Sequence, residues 1–392
     1  MAPCGLSFET ISSDASFAAL AAGWDDLVRV MPRPSPMLLH GWLTEWWRYY
    51  GEEGELAVQV AHRNGQLVGA LPLCVRPKFG LGVLGFLGGN QSALADLLLA
   101  EGESLSVGVA LSERATSSGQ DLADLFGLPA DSRLAAVLGP SRLRLIERSE
   151  APVLDLDAGW DAAYRAKTSS KRRNNHRRKR RQLRELGRLE SVVARTPEEL
   201  ERALEDAFLL HALRWRGRPD GSQFATPTGM RFHRAAIQAL AAFDVARVVT
   251  LRLDGRPIAF LYYFALEGRM YFNRLAFDPE FGRFSPGLLN TFDALEAASA
   301  EGATRVEFLG GAERYKLELA DRIEPLYHGF GLEGSLRGRT AVAARFNSIR
   351  LRRFLKRSPA LRRFYFEGLA PARRLLRRGG PPARDAHRRR PA

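Results

Sequence analysis

Cysteine and long apolar runs are scarce in this chain of 392 residues. The two cysteines, Cys4 and Cys74, provide neither a disulfide framework nor the ligand spacing of a zinc site. No window of about 18 uninterrupted apolar residues occurs, so the sequence predicts no membrane-spanning helix. The first residues lack a basic segment followed by an apolar core, and we therefore expect no export signal and a cytoplasmic protein.

Positive charge is concentrated in two segments. The formal net charge is +14, but residues 337–392 carry +16 and residues 165–188 carry +11, so the rest of the chain carries −13. The basic pI of the whole chain therefore comes from these two segments, whereas the globular body is acidic. The charge of each region has to be considered separately. The length and a hydrophobic content of 45% allow two domains, each with its own core.

Two segments share one pattern and indicate an internal repeat. Residues 56–73 read as a strand, an Asn64-Gly65 turn and a second strand, and residues 247–264 repeat that pattern around Asp254-Gly255. Asn-Gly and Asp-Gly are strong signals for two-residue hairpins because both turn positions need positive φ. Generic hairpins produce the same pattern by chance, so the hairpins alone leave duplication of one fold as an open alternative.

The second copy predicts a sheet of mixed direction. A third strand follows over residues 269–276, then a loop to Pro286, a helix over 287–300 with Ser285 as its N-terminal cap, and a short strand over 304–309. The predicted fold class is therefore α/β (α+β), with largely antiparallel sheets flanked by helices.

Helices are also predicted in the first half and at the junction. Trp42 and Trp46 share one face of a helix over residues 41–50, a spacing that is typical of core packing. We predict domains at 1–157 and 158–335, a helix at 169–187 that is basic on nearly every face, and a basic helix with a disordered tail at 336–392.

Several short motifs, taken in order, resemble the CelD/BcsL-type acetyltransferases, also called BioF2-like, of the GCN5-related N-acetyltransferase (GNAT) superfamily. The motifs are Trp42-x-x-x-Trp46-Trp47, Gly65-x-x-Val68-Gly69-x-x-Pro72-Leu73, Phe86-Leu-Gly-Gly89, the basic helix 171–184, Leu210-His211-x-x-Arg214-Trp215, Phe277-Asp278-Pro279, Phe284-Ser285-Pro286-Gly287-x-Leu289 and Phe308-Leu-Gly-Gly-Ala-Glu313-x-Tyr315-Lys316. The resemblance implies two tandem GNAT-like units, as in the FemABX peptidyltransferases, with an acyl donor bound by the second unit.

The loop that opens the helix near Gly287 is the expected donor site. A diphosphate-bearing donor such as acetyl-CoA or another acyl-CoA needs free backbone N–H groups and a helix N-terminus, where the dipole favours anions. A capped helix after a loop is the structural alternative. The predicted cofactor-binding residues are Arg283, Phe284, Ser285, Gly287, Leu288 and, on the third strand next to Arg274, Asn273.

The segment that follows the strand end at Gly310-Gly311 contains three candidate catalytic or substrate-binding residues. Acyl transfer needs a base for the acceptor and a proton donor for the leaving thiolate. Glu313 is predicted to be the general base or a substrate orienter, with a surface carboxylate as the alternative. Tyr315 is predicted either to protonate the thiolate or to pack in the interior. Lys316 is predicted either to contact a phosphate of the substrate or to remain a solvated charge.

His211 is the second candidate for the base, on a helix predicted over residues 197–215. Lone histidines in helices are more often structural. Arg214 and Trp215 are expected to form the floor of an acceptor pocket, and residues 216–222 to form a loop across it.

The leading hypothesis is an acyl-CoA-dependent acyltransferase for an amine or hydroxyl of a small-molecule or glycan acceptor linked to polysaccharide or cell-envelope biosynthesis, such as cellulose. A FemABX-like aminoacyl transferase using aminoacyl-tRNA is the alternative enzyme, and a GNAT-fold protein without chemistry is the third hypothesis. No metal cofactor is expected. The basic tail is expected either to contact acidic membrane peripherally or to be a disordered tail, and nucleic acid enters only as tRNA.

Overall fold

The structure is a computed structural model that describes residues 5–116, 120–216, 223–311 and 313–357. The chain divides into two compact units, Met1–Ser335 and Leu336–Ala392. In the second unit the described part is a helix, α12 (Leu336–Arg357), where the sequence predicts a basic helix; the predicted disordered tail lies outside the described residues. Within the described ranges, no helix combines the length and apolarity that crossing a membrane requires.

The first half of unit Met1–Ser335 contains strands and five helices in an order that begins with an edge strand. The elements are β1 (Leu6–Ile11), α1 (Asp14–Ala18), α2 (Ala21–Arg29), α3 (His40–Tyr50), β2 (Glu55–Leu56), β3 (Val58–Arg63), β4 (Gln66–Leu71), β5 (Leu73–Lys78), β6 (Leu81–Phe86), β7 (Leu98–Leu99), α4 (Leu105–Thr116), β8 (Leu122–Pro129), α5 (Arg133–Arg142) and β9 (Leu143–Ser149).

The second half repeats much of this order with longer strands. After β10 (Pro152–Asp155), which ends the first half, its elements are α6 (Gly159–Lys167), α7 (Ser170–Leu186), β11 (Leu189–Ala194), α8 (Pro197–Trp215), α9 (Pro227–Ala241), β12 (Ala246–Leu253), β13 (Arg256–Leu266), β14 (Arg269–Phe277), α10 (Pro286–Ala300), β15 (Arg305–Glu307), α11 (Arg314–Leu319), β16 (Arg322–Ile323) and β17 (Leu326–Gly331). Short 3-10 helices occur at Pro36–Leu38, Gly89–Gln91, Gln223–Ala225 and Pro279–Phe284.

Three sheets organise these strands, in the orders β1-β3-β4-β7, β2-β5-β6-β8-β17-β9 and β11-β12-β13-β14-β15-β10-β16. All neighbouring strands pair antiparallel except β6 with β8 and β14 with β15, which pair parallel. The predicted α/β fold with mixed, largely antiparallel sheets is therefore confirmed.

The two halves exchange one strand each. Beside the parallel pair β6/β8 of the first half lies β17, which comes from the end of the second half, and beside β14/β15 lies β10, which precedes the second half. Both halves thus have an edge strand, helices, a hairpin, a parallel pair and one inserted strand, and this shared order supports the predicted duplication of one fold. The predicted boundary at residue 157 falls between β10 and α6.

Both predicted hairpins form where the turn residues require them. Asn64 and Gly65 have φ of 53° and 81°, and Asp254 and Gly255 have φ of 49° and 79°. Positive φ at both turn positions matches the twist of the flanking strands, as in a type I′ turn. The turn residues therefore fix the register of β3 with β4 and of β12 with β13.

A shared core joins the two halves. Trp42 and Trp46 on α3 are 0% and 1% exposed, which confirms the predicted core role. The Trp42 ring packs edge-on against Phe232 of α9 at 4.9 Å and Phe264 of β13 at 5.4 Å between ring centroids. Because these partners belong to the second half, α3 stabilises both halves at once.

The basic helix α7 forms where it is predicted, despite its like charges. Ser169 caps its N-terminus by accepting a hydrogen bond from the Arg172 N–H, and the helix ends at Gly187. Leu183 is its one fully buried residue and packs with Phe284 and Leu289. Apolar burial on one face therefore holds a helix whose other faces are cationic.

Candidate active site

The parallel strands β14 and β15 separate part-way along the seven-stranded sheet β11-β12-β13-β14-β15-β10-β16. We call it the second sheet because most of its strands come from the second half. Their pairing covers Arg269 to Tyr271 on β14 and ends at Glu307 on β15, whereas β14 continues to Phe277. The paired end is held by the buried Glu307, whose carboxylate accepts from Arg33 at 2.6 Å and from Arg305 at 2.7 Å. Beyond it the sheet opens on the side where α/β proteins commonly bind ligands.

A cleft of about 290 Å³ lies among α7, α10 and α11. It is on the face of the second sheet against which Phe292 of α10 and Leu319 of α11 pack. Its apolar lining residues are Leu288, Phe292, Tyr315 and Leu319. Its charged lining residues are Lys167, Arg172, Lys179 and Arg314, with Glu318 as the acidic member among the described lining residues. The cleft has more cationic than acidic side chains, and its walls are apolar. This combination favours an anionic ligand with an apolar part.

Lys179 is the cation of this cleft that is free to meet a ligand. Glu318 accepts from Arg172 at 2.7 Å and from Arg314 at 2.8 Å, so the carboxylate already holds these two cations. The Lys179 ammonium donates to the Ser285 hydroxyl at 2.6 Å and pairs with no carboxylate of the described ranges. It therefore lies at the start of α10 with its charge uncompensated.

Tyr315 presents a phenol to the same cleft. Its hydroxyl is buried and has no hydrogen-bond partner among the described residues. Burial, with a smaller contribution from Glu313, raises the pKa of Tyr315, so the phenol stays protonated at neutral pH. Nearby, the Tyr164 hydroxyl and His176 Nδ1 are hydrogen-bonded at 2.8 Å. Tyr315 is thus the lining phenol that can supply a proton to a ligand.

Ser285 is the N-cap residue of α10, as predicted, but its side chain does not cap the helix. Ser285 has φ of 54° and its side chain makes no capping hydrogen bond, because the hydroxyl instead accepts from Lys179. Phe284 is buried in the core, and Arg283 is exposed and lies over the Phe284 ring at 4.5 Å. Gly287 packs on Phe277, where an added Cβ would lie 2.9 Å from a ring carbon.

Glu313 and Lys316 form one ion pair at the start of α11. Their charged atoms are 2.9 Å apart, with the Glu313 side chain 57% exposed and that of Lys316 6% exposed. The Lys316 ammonium also donates to the Phe308 carbonyl at 3.3 Å. These contacts favour the surface-carboxylate interpretation of Glu313 and place the Lys316 charge inside the protein.

A second group of predicted residues lies on the opposite face of the sheet, beside α8. His211 is 3% exposed, its ring stacks on Trp215 with 5.7 Å between centroids, and its Nδ1 has no partner among the described residues. Burial, assisted by the charge of Arg274, lowers the pKa of His211 to about 4. Arg214 lies over Phe277 at 5.1 Å. The predicted loop over this region falls largely outside the described residues.

The predicted residues thus form two groups. Leu288 and Tyr315 line the cleft, while His211 and Asn273 lie near Arg274. Trp215 stacks on His211, and Arg214 lies over Phe277. Sequence reasoning missed Lys179 as an individual residue because α7 offers many cations of equal appearance, and only packing on α10 distinguishes it.

Comparisons with known proteins agree with this geometry. A family model described as an acetyltransferase (GNAT) domain matches residues 170–317, from the first turn of α7 to α11. This segment of the chain is therefore similar to a GNAT domain. No curated protein matches the chain in sequence.

Solved structures extend the likeness to most of the chain. The crystal structure of FemX has a TM-score of 0.56 at 12% identity, covering 82% of this chain and 96% of that one. The C-terminal domain of a protein assigned as a lysylphosphatidylglycerol synthetase from Agrobacterium fabrum has a TM-score of 0.53 at 13% identity, covering 86% and 96%. At these identities the likeness shows the fold alone. The GNAT part of the predicted resemblance is confirmed, and the CelD/BcsL level remains a prediction.

Proposed function

We propose that the chain is an acyltransferase that moves an acyl group from acyl-CoA to an amine or hydroxyl acceptor. The observation that carries the proposal is the cleft among α7, α10 and α11, with cations, apolar walls and one buried phenol inside the segment that matches the GNAT domain. Phosphates require cations, the pantetheine arm requires apolar walls, and a thiolate leaving group requires a proton donor.

The donor would lie with its phosphates near Lys179 and its thioester toward the opening between β14 and β15. Lys179 supplies a charge at the start of α10, where the helix dipole adds to it. Tyr315 lines the same cleft. In this proposed arrangement the thioester carbonyl lies between the donor cleft and the face that carries His211.

The proposed reaction is direct transfer. The acceptor nitrogen or oxygen attacks the thioester carbonyl, its proton passes to a base, the carbon–sulfur bond breaks, and the Tyr315 phenol protonates the leaving thiolate. His211 is the better placed base, because it is buried and neutral with a free Nδ1, whereas Glu313 is already paired with Lys316. Arg214 and Trp215 are proposed to contact the acceptor beside it, which is taken to be a small molecule or glycan.

A titration with acetyl-CoA tests the donor assignment. At about 100 times its Kd, a ligand of the folded state stabilises it by about 2.7 kcal/mol, which thermal unfolding detects. Acetyl-CoA and longer acyl-CoAs are expected to raise the Tm and to release free thiol when amine and sugar acceptors are added. Absence of a shift with every acyl-CoA overturns the proposal and favours a GNAT-fold protein without chemistry.

A pair of tyrosine variants tests the leaving-group step. Tyr315→Phe keeps the ring but removes the proton donor, and general acid catalysis contributes roughly 10²- to 10⁴-fold. The kcat for thiol release is expected to fall by at least about tenfold with little change in the Kd of acetyl-CoA. Tyr164→Phe is the matched control, since its hydroxyl contacts His176 in the same region. Equal effects of both variants would exclude Tyr315 as the acid.

Aminoacyl transfer from aminoacyl-tRNA is the second candidate function. The outward face of α7 favours it, because Lys171, Arg177, Arg178 and Arg184 are exposed in a row that phosphates can meet. The fold likeness to FemX and to a protein whose name describes lysyl transfer is compatible with it. Tight tRNA binding that weakens steeply with salt, together with no response to acyl-CoA, would favour this function.

A further inference from the structure

A buried polar cluster surrounds Arg274 on the face of the second sheet that is opposite the donor cleft. Its members come from both halves: Tyr50 from α3, Gln91 from the turn after β6, His211 from α8, His233 from α9, Tyr262 from β13, and Asn273 and Arg274 from β14. Arg274 and Tyr262 are opposite each other in the β13/β14 register and so face the same side. The sheet therefore points one cation at a group of neutral polar side chains.

Arg274 has hydrogen bonds but no counter-charge. One terminal nitrogen donates to the carbonyl and side-chain oxygens of Asn273, each at 2.9 Å, and the other donates to Gln91 Oε1 at 2.9 Å. No carboxylate of the described ranges pairs with it, and no described residue accepts a hydrogen bond from its Nε. A half-buried guanidinium without an anion is costly, because burial in a protein penalises an unpaired charge.

The side chains around this cation are unsatisfied as well. Among the described residues, His233 has no partner at either ring nitrogen and is 0% exposed, and the amide nitrogen of Asn273 has no acceptor. The buried hydroxyls of Tyr50 and Tyr262 have no partner at ordinary hydrogen-bond geometry among the described residues, although Gln91 and Asn273, respectively, lie close enough to interact weakly with them. Buried polar groups are almost always paired, so a concentration of unpaired ones around one cation indicates a ligand site.

We propose that the Arg274 cluster binds a carboxylate carried by the acyl acceptor, with Arg274 as its charge partner and the surrounding hydroxyl and amide groups as further donors. The proposal rests on the proposed acyltransferase function and narrows its substrate class to acceptors that bear a carboxylate. A carboxylate matches the site better than a phosphate does, since one guanidinium offers one positive charge and a fork that fits two coplanar oxygens.

Carboxylate binding would also change the base beside it. The positive charge of Arg274 contributes to the lowered pKa of both His211 and His233. A bound carboxylate neutralises that charge, so the pKa of His211 rises toward its ordinary value and the ring becomes a stronger base. Binding of the acceptor would then itself activate His211 as the base.

Matched pairs of small probes test the assignment on the full chain. Isothermal titration calorimetry with benzoate and benzamide, and with acetate and acetamide, compares molecules that differ mainly in the charge. We expect the wild type to bind the carboxylates at least about tenfold more tightly than the amides. Arg274→Gln is expected to remove the preference and Arg274→Lys to retain part of it. Arg148→Gln, which changes an exposed arginine lying over Phe126, serves as the control and keeps the preference.

A measurement on the wild type guards against variants that do not fold. Benzoate is expected to raise the pKa of His211 in an NMR titration of the histidine rings, and benzamide is not. Equal binding of acid and amide, a preference that survives Arg274→Gln, or binding of inorganic phosphate in place of benzoate overturns the proposal. Acetyl-CoA binding by Arg274→Gln is expected to match the wild type, so loss of donor binding and loss of carboxylate binding remain separate results.

Discussion

The two halves share a strand order but differ in the side chains at the point where a parallel strand pair separates. In the first half the pairing of β6 with β8 covers Val83 and Leu84, and the chain continues through Gly85, Phe86 and Leu87. In the second half β14 continues through Asn273 and Arg274. The topology thus produces this opening twice, while polar side chains follow only the second of these two pairs.

The first half still contributes to the second opening. Gln91, in the turn after β6, accepts a hydrogen bond from Arg274 and donates to Gln223 at 3.1 Å. The first half therefore supports the polar side chains at the second opening through a hydrogen bond. The following changes test this difference between the halves, from the largest expected effect to the smallest.

Breaking the buried ion pair that holds the paired end of β14 and β15 is expected to have the largest effect. Glu307→Gln removes a 0% exposed carboxylate and leaves Arg33, 5% exposed, with the longer 3.4 Å contact to Glu324 in place of its 2.6 Å partner. Removing one partner of a buried pair costs about 3–5 kcal/mol. Urea denaturation is expected to show this loss, whereas Glu267→Gln, in an exposed pair with Arg29, should cost less than about 1 kcal/mol. Similar losses in both variants would contradict the role of Glu307.

The buried His211 is expected to make stability depend on pH. Its folded pKa of about 4 lies below the ordinary value near 6.5, so the unfolded chain takes up a proton first and stability falls as the pH drops from about 6.5 to 4. The total contribution of this pKa difference is about 3 kcal/mol, at about 1.4 kcal/mol for each pKa unit. Denaturation curves at pH 7.5, 6 and 5 are expected to show a shallower decline for His211→Asn. An unchanged decline would mean that His211 already carries a proton in the folded protein.

Removing the charge of Lys179 is expected to weaken donor binding about tenfold, or about 1.4 kcal/mol, because a charge-assisted contact to phosphate is lost. Lys179→Gln is compared by calorimetry with Lys78→Gln, an exposed lysine of the first half that pairs with Asp124. Acetyl-CoA affinity should be unchanged in the second variant. Equal affinities in all three proteins would remove Lys179 from the donor site.

The two hairpin turns are expected to respond alike. Gly65→Ala and Gly255→Ala both place a side chain at φ near 80° where no heavy atom lies within 4 Å, so the cost is backbone strain alone. The expected loss is about 1 kcal/mol in each case. Urea midpoints measure it, and a large difference between the two variants would show that the turns are not equivalent.

Local features were predictable because local forces decide them. The Asn64-Gly65 and Asp254-Gly255 turns follow from positive φ, and α8 begins at Pro197 because Thr196 and Glu199 form a capping box. The exchange of β10 and β17 was not predictable, since a short strand pairs equally well with either sheet in terms of sequence. The N-cap position of Ser285 was predicted, but the use of its hydroxyl by Lys179, which lies on α7 and is distant in sequence, was not.

The sequence by itself determined the turns, the helix ends, the repeat of the hairpins and the identity of the side chains that chemistry needs, because neighbours within a few residues control these features. Only the tertiary structure decided which of those side chains meet. It brought Lys179 and Tyr315 to one cleft, and it left Arg274 without a carboxylate partner in the part of the chain that the structure describes. The physical reason is that burial and charge compensation depend on contacts between elements far apart in the chain, and no local pattern records them.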